Sequence, residues 1–295
     1  MASLETIIAC PVCAGTSFSP FLSCKDYLVS DKTFAIQSCD QCGFRMTNPR
    51  PDAASIGQYY KSDAYISHND SGGGIIDTVY KGVRSYTLRS KLALINSLAK
   101  RPGNLLDVGC GTGSFLETCQ ATGWTISGME PDDDARRIAS EKLKTPIAER
   151  LTDVSANKYD VITLWHVLEH IADLESTITR FHQLLSDSGS LLIAVPNSDS
   201  YDAKVFGQYW AAYDVPRHLH HFTPTTIKPL FAKNGFTLMA QKPMPFDAFY
   251  ISMLSTRYQI GRTDYVKSFL TGLASNRQAR RTGDWSSLIY IFQKA

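Results

Sequence analysis

A run of apolar residues ending in an acid and then three alternating glycines, Leu105-Leu106-Asp107-Val108-Gly109-Cys110-Gly111-Thr112-Gly113, constrains this 295-residue chain more than any other stretch. The apolar lead predicts a buried strand, and Ser114-Phe115-Leu116-Glu117 opens a helical pattern directly behind it. The glycines between them predict a tight turn that a ligand can approach closely, because no Cβ stands in the way. A dinucleotide-binding turn usually reads G-x-G-x-x-G, and its third glycine would fall where this chain has Ser114. Here the spacing is G-x-G-x-G, with Asp107 two residues ahead. Trp124 to Glu130 then reads as a second strand, ending in an acid 21 residues after Gly109. One strand–helix–strand step has that length, and a carboxylate so placed can accept from both ribose hydroxyls of a nucleoside.

Tyr159 to His170 begins with a strand that lacks polar–apolar alternation, as in a parallel sheet covered on both faces. Leu168, Ile171, Leu174, Ile178, Phe181, Leu184 and Leu185 follow at steps of mostly three and four, and predict one amphipathic helix stopped by Gly189. Gly189 to Asn197 supplies a further strand. In order and spacing, Leu105 to Asn197 resembles class I S-adenosylmethionine-dependent methyltransferases. Within it, Trp165-His166-Val167-Leu168-Glu169-His170 resembles the segment after the fourth strand of ubiquinone-biosynthesis O-methyltransferases. The resemblance implies an α/β, Rossmann-like fold with a mostly parallel seven-stranded sheet. Its antiparallel edge hairpin is expected near Gly235–Ala240 and Ser287–Phe292. The resemblance also implies S-adenosylmethionine as donor, held by Asp107, Gly109, Cys110, Gly111, Gly113 and Glu130, with Trp165 and His166 beside its methionine part. His170 reads as a polar residue early in the helix.

Near the start, Cys10-Pro11-Val12-Cys13 and Cys39-Asp40-Gln41-Cys42 form two C-x-x-C knuckles. Each can bring two thiolates onto one ion, and four thiolates make the closed shell of structural zinc. The aromatic and β-branched stretch between them predicts short ribbon strands, and such a zinc would hold the fold without taking part in chemistry. Cys24 is the odd one out and could replace a knuckle ligand only with a less regular geometry, while Cys110 and Cys119 read as small apolar fillers. The start of the chain shows no signal-peptide pattern and no apolar run is long enough to cross a bilayer, so a cytoplasmic setting with free thiols is expected.

The ribbon bears on the choice of substrate. Residues 1–50 balance Lys25, Lys32, Arg45 and Arg50 against Glu5, Asp26, Asp31 and Asp40. RNA binding needs a surplus of positive charge to neutralise phosphates. The neutral ribbon therefore resembles bacterial zinc-ribbon methyltransferases of small molecules, including those acting on nucleotide-linked deoxysugars, more than RNA methyltransferases. From Pro216 onward 11 Lys/Arg stand against 3 Asp/Glu, which suits an anionic acceptor.

Ahead of the glycine turn, a tyrosine-rich stretch (Tyr59, Tyr60, Tyr65, Tyr80, Tyr86, with His68) and a helical pattern from Ile75 to Leu98 resemble a lid over the donor. Tyr60 and Tyr65 are the expected contacts for the donor's carboxylate or sulfonium. Behind the fifth strand, Pro216-Arg217-His218-Leu219-His220-His221-Phe222-Thr223 resembles the segment bordering the acceptor pocket in small-molecule methyltransferases. A metal reading of the three histidines is less favoured than a general base, for which His218 and His221 are the candidates. Arg217 offers a cation for an enolate-like anion if the acceptor is carbon, as in a deoxysugar C-methyltransferase. The expected division is a ribbon at 1–50, a helical lid at 51–100, a core at 101–242 and 287–295, and an acceptor-pocket insertion at 243–286. That insertion offers Phe246, Phe249, Tyr250, Arg257, Tyr258 and Arg262.

Overall fold

The computed structural model describes residues 3–60, 75–99 and 101–295, leaving out the side chains of 75–81 and 84. Tyr65 and His68 lie outside the described residues, as does the side chain of Tyr80.

The glycine turn belongs to a central sheet whose strands alternate with helices. They are β6 (Asn104–Val108), β7 (Thr125–Met129), β8 (Tyr159–Trp165), β9 (Leu185–Pro196), β11 (Phe236–Pro243) and β12 (Ser287–Lys294). Among the described residues these six lie in the order β11-β12-β9-β8-β6-β7. β7, β6, β8 and β9 are parallel, while β12 runs antiparallel to both β9 and β11. Leu105, Leu106, Ile162, Leu164, Leu192 and Ile193 have no exposed surface. Each contributes about 1.5–3 kcal/mol through that burial, which is why these strands read as unbroken apolar runs.

The resemblance implies seven strands. The expected seventh is reduced to a parallel bridge between Met129 and Ala148, outside β7. Ala148 donates to the Gly128 carbonyl and Glu130 donates to that of Ala148. The pairing is confined between Pro146, which has no N–H to give, and a turn closed by Asp153 on Arg150.

The predicted helix from Leu168 starts later. A short 3-10 turn holds Leu168–His170, and the α-helix runs Leu174–Leu184, capped by Asp173, whose side chain accepts from Ser176 N–H. The cap provides an acceptor for an otherwise orphaned amide, which fixes the start. Strand β9 begins at once, so Gly189 lies inside it rather than stopping a helix.

At the N-terminal end, β1 (Leu4–Glu5) pairs antiparallel with β5 (Arg50–Pro51), and β2 (Phe18–Lys25), β3 (Thr33–Cys39) and β4 (Arg45–Thr47) form an antiparallel ribbon. A fourth strand, β10 (His220–His221), comes from the far end of the chain, pairing His220 with Met46 and His221 with Arg45. Cys10, Cys39, Phe44 and Met46 also share one apolar cluster with Leu106, Val108 and Leu164 of the main sheet. The ribbon and the main sheet therefore share a core. In 243–286, two helices, Asp247–Ile260 and Tyr265–Thr282, pack through buried Ser252, Thr256, Ser268 and Gly272. They are tied to the core by Asp202, which accepts from Trp210, Ser275 and Ser286.

Candidate active site

Gly109, Gly111 and Gly113 all have positive φ, in the left-handed region that disfavours a side chain. A Cβ on Gly109 would come 2.5 Å from a Val167 methyl, so the turn is pressed against the segment after β8. A Cβ on Gly111 would meet nothing within 4 Å, so that side of the turn is open to a ligand. The turn is strapped down by Gly109 and Cys110 N–H groups donating to the Met129 carbonyl at 2.7 and 3.0 Å. Gly111 N–H donates to Glu130 Oε2 at 2.8 Å, and Asp132 N–H donates to Oε1 at 3.0 Å. Each oxygen keeps a lone pair for a ribose hydroxyl. Burial pushes the Glu130 pKa up.

Asp107 is buried beneath this turn and accepts from Thr163 Oγ1 at 2.6 Å. Burial pushes its carboxyl up to about 7, with Thr163 and Lys91 pulling the other way. Lys91, on the helix Ile75–Leu98, was not expected at the site. Its Nζ stands 4.2 Å from the Trp165 ring centroid, and burial lowers its pKa against the attraction of Asp107 and Asp247. The Trp165 Nε1 is buried without a partner among the described residues, leaving a donor unused there. A lysine, an indole N–H and an acid thus meet where the methionine part of a donor is expected. No sequence motif marks Lys91; only the path of its helix over β6 and β8 brings it there.

His166 leaves β8 with φ of 58°. Its Nε2 lies 3.1 Å from Asp247 Oδ2, and its Nδ1 lies 3.5 Å from Glu169 Oε1. Burial works against its charge, but the two carboxylates outweigh it and raise the pKa to about 10. Among the described residues neither Glu169 oxygen has a hydrogen-bond partner, although its side chain is only 1% exposed. The carboxyl itself is pushed up by burial but ends below the usual range, held there chiefly by His166.

Glu169 also meets His170 and His218, whose rings sit edge to face with centroids 4.6 Å apart. Tyr60, expected near the donor, is instead placed on this side, with its hydroxyl 2.9 Å from His170 Nδ1. The histidines expected as bases part company. His218 Nδ1 lies 2.8 Å from the Ala212 carbonyl, which can only accept, so Nδ1 carries the proton and Nε2 its lone pair. His221 sits in the seam with the ribbon, its Nε2 3.1 Å from Thr47 Oγ1, which itself donates to the His218 carbonyl. Burial and its cationic neighbours hold His221 far below the usual histidine range. His220 Nε2 donates to the Ile171 carbonyl at 3.0 Å, so the three histidines do not converge on one point.

Arg217 corrects an expectation. It is 1% exposed, and its guanidinium donates to Asp26, Asp214 and the Tyr59 carbonyl. An arginine so occupied has no donor left for an anion on a substrate; it fastens the ribbon to the site. In the insertion, Tyr258 stacks on Tyr27 and Phe249 packs on Phe269. The four knuckle cysteines converge, with Cys10 and Cys42 Sγ atoms 3.6 Å apart and Cys13 and Cys39 3.5 Å apart. A tetrahedron of sulfurs about 2.3 Å from a zinc ion has edges of about 3.8 Å, so the donor set fits that ion.

Comparison with known proteins agrees with this geometry. Residues 80–241 match the family model described as a methyltransferase domain. An uncharacterized methyltransferase of Bacillus cereus is 30% identical over 148 residues, covering 45% of this chain and 69% of the relative. One from Bacillus cytotoxicus is 31% identical over 150 residues, with the same coverage. In fold, the chain is similar to magnesium protoporphyrin IX methyltransferase from Synechocystis PCC 6803, solved with bound SAH. The TM-score is 0.54 at 14% identity, covering 83% of this chain and 100% of that one. With the glycine turn, its two acids and more than half of its length matched to one family, the chain belongs to the methyltransferase-domain family and is an S-adenosylmethionine-dependent methyltransferase.

Proposed function

We propose that the chain moves a methyl group from S-adenosylmethionine to an oxygen of a small-molecule acceptor. A sugar-nucleotide, polysaccharide precursor or lipid-like metabolite is the acceptor class that the sequence resemblance implies. Glu130 holds the donor's ribose, the open face of Gly111 admits its backbone, and Asp107, Lys91, Trp165 and His166 surround its amino-acid end. The observation that carries this reading is the 3.5 Å contact between His166 and Glu169. It joins the donor side to the Glu169–His170–His218 cluster, so that an acceptor resting on the cluster lies next to the sulfonium. Transfer then depends mainly on alignment and the exclusion of water, since the sulfonium already activates the carbon. His218 is the histidine that meets the acceptor hydroxyl, because its Nε2 is unprotonated, whereas His221 serves the ribbon seam. Arg217 being engaged removes the enolate stabiliser that a carbon acceptor requires. The four cysteines hold a structural zinc, and the two helices of 243–286 border the acceptor pocket. Labelled methyl transfer into a fractionated cell extract tests the reading. Label in a small metabolite is expected, and label in ribosomal RNA would overturn it.

Two smaller predictions concern the donor. Glu130→Ala is expected to weaken S-adenosylhomocysteine binding by at least about 150-fold by calorimetry, since it removes two charge-assisted hydrogen bonds worth about 1.5–3 kcal/mol each. An unchanged Kd would remove the ribose role. The second follows from Asp107, whose pKa is raised to about 7. The donor's ammonium favours the carboxylate, so below pH 7 binding must first strip a proton from Asp107. Affinity is expected to fall about tenfold per unit as pH drops below 7, with proton release on binding. The free protein should show the opposite trend in stability. A raised pKa contributes stability at low pH that is lost as pH rises towards 7. Equal affinity at pH 5.5 and 8 would exclude Asp107 from the donor site.

A further inference from the structure

We propose that Glu169, His170 and His218 together hold a divalent cation of the borderline class, zinc or a first-row transition ion, at the acceptor end of the site. This rests on the reading of that cluster as the acceptor's seat and goes beyond it. The three residues offer a carboxylate oxygen and two imidazole nitrogens that all lie within 4.8 Å of one another. A cation about 2.1 Å from each ligand requires separations of roughly 3–3.5 Å, so the three ligand atoms draw together when it binds. The chemistry of the ligands is already arranged. Both histidines give Nδ1 to a backbone carbonyl, His170 to Arg217 at 3.1 Å and His218 to Ala212 at 2.8 Å. A carbonyl can only accept, so each Nδ1 carries the proton and each Nε2 presents a lone pair, as metal-ligating histidines do. The Tyr60 oxygen shares the His170 proton.

Glu169 is the second observation. Two buried carboxylate oxygens that find no hydrogen bond among the described residues are costly unless a cation completes them. His166 approaches one of them only at 3.5 Å and is itself bound to Asp247. Asp214 Oδ2, at 3.9 Å from His218 Nε2, stands behind the cluster. Two imidazoles and one carboxylate leave coordination positions open, which is the arrangement of an ion that binds substrate rather than one that only holds a fold. With the ion in place, the His218 lone pair is spent on it, and the acceptor's oxygen meets the ion instead of the imidazole.

Zinc content of the purified full chain, loaded and then dialysed against metal-free buffer, tests this. About two equivalents per chain are expected, one in the cysteine cluster and one here. Glu169→Gln and His218→Ala should each hold about one, while His182→Ala, whose ring packs against Phe236 elsewhere, should hold two. In cobalt-substituted protein, the thiolate charge-transfer band of the cysteine cluster should persist in Glu169→Gln while the weaker visible bands of a nitrogen–oxygen site disappear. That persisting band also shows the variant is folded, and if His218→Ala loses it, Glu169→Gln decides. One equivalent in the unaltered chain, or two in Glu169→Gln, overturns the proposal. Calorimetry with S-adenosylhomocysteine on the same samples separates it from the methyl-transfer reading. Two equivalents without donor binding would sink that reading and leave the cation site standing.

Discussion

Stripping the proposed zinc from the cysteine cluster, or replacing Cys39 by serine, is expected to lower the thermal midpoint by about 10 °C or more and to abolish methyl transfer. Structural zinc contributes roughly 10–16 kcal/mol in isolated finger peptides, and a chain of this size shifts by about 2–4 °C per kcal/mol. Even a fraction of that energy suffices. The effect reaches beyond the ribbon because of where the ribbon ends. Cys39 closes β3, Phe44 and Met46 follow within the shared apolar core, and β4 pairs with β10. Losing the cluster frees β4, and with it the Thr47 hydroxyl that donates to the His218 carbonyl at 2.7 Å. Arg45 also loses its hold on Ser198 and Asp199, just past the end of β9. Glu130 and the glycine turn make no such contact. Donor binding should therefore outlast methyl transfer as chelator is added. A midpoint unchanged in Cys39→Ser by scanning calorimetry would exclude a metal there, and simultaneous loss of donor binding and transfer would exclude the proposed route.

What the sequence made legible was local. The glycine turn, its acids and the knuckles announce themselves because their chemistry needs particular residues a few positions apart. The parallel strands were legible for a related reason, since burial on both faces removes polar–apolar alternation. The limit of the α-helix at Leu174 was not, because Leu168 and Ile171 keep the helical period while lying in and just after a short 3-10 turn. Nor was the role of Arg217, whose partner Asp26 is 191 residues away. A cation beside three histidines reads as substrate-facing until the far carboxylate is placed. Lys91 carried no signal at all. Glu169 lay in plain view within the quoted phrase, yet its isolation among histidines depends on the ribbon bringing His218 against it.

Arg217→Met is expected to destabilise the protein by about 3–5 kcal/mol, the usual consequence of leaving a buried charge unpaired. The arginine bonds Asp26 and Asp214, and all three side chains are at most 16% exposed. Without it, two carboxylates face each other's surroundings with no cation between them. Arg217→Lys should recover little, because one ammonium cannot span both carboxylates and the Tyr59 carbonyl as the planar fork does. The deficit should also depend on pH, and its sign follows from Asp214. Burial pushes that carboxyl up, but Arg217 and the neighbouring histidines hold it below the usual aspartate range. Such a group stabilises the fold above its unfolded pKa, and the benefit disappears as pH falls through the lowered value. In the variant the Asp214 carboxyl protonates more readily, so little remains to be lost in acid. Denaturant titrations at pH 7 and pH 3.5 should therefore show the gap between variant and parent narrowing at the lower pH. A gap that is constant or wider there would mean that the arginine acts through packing alone. Asp26→Asn in the Arg217→Met background should then restore part of the loss at pH 7, since it removes one of the stranded charges that the arginine exists to meet.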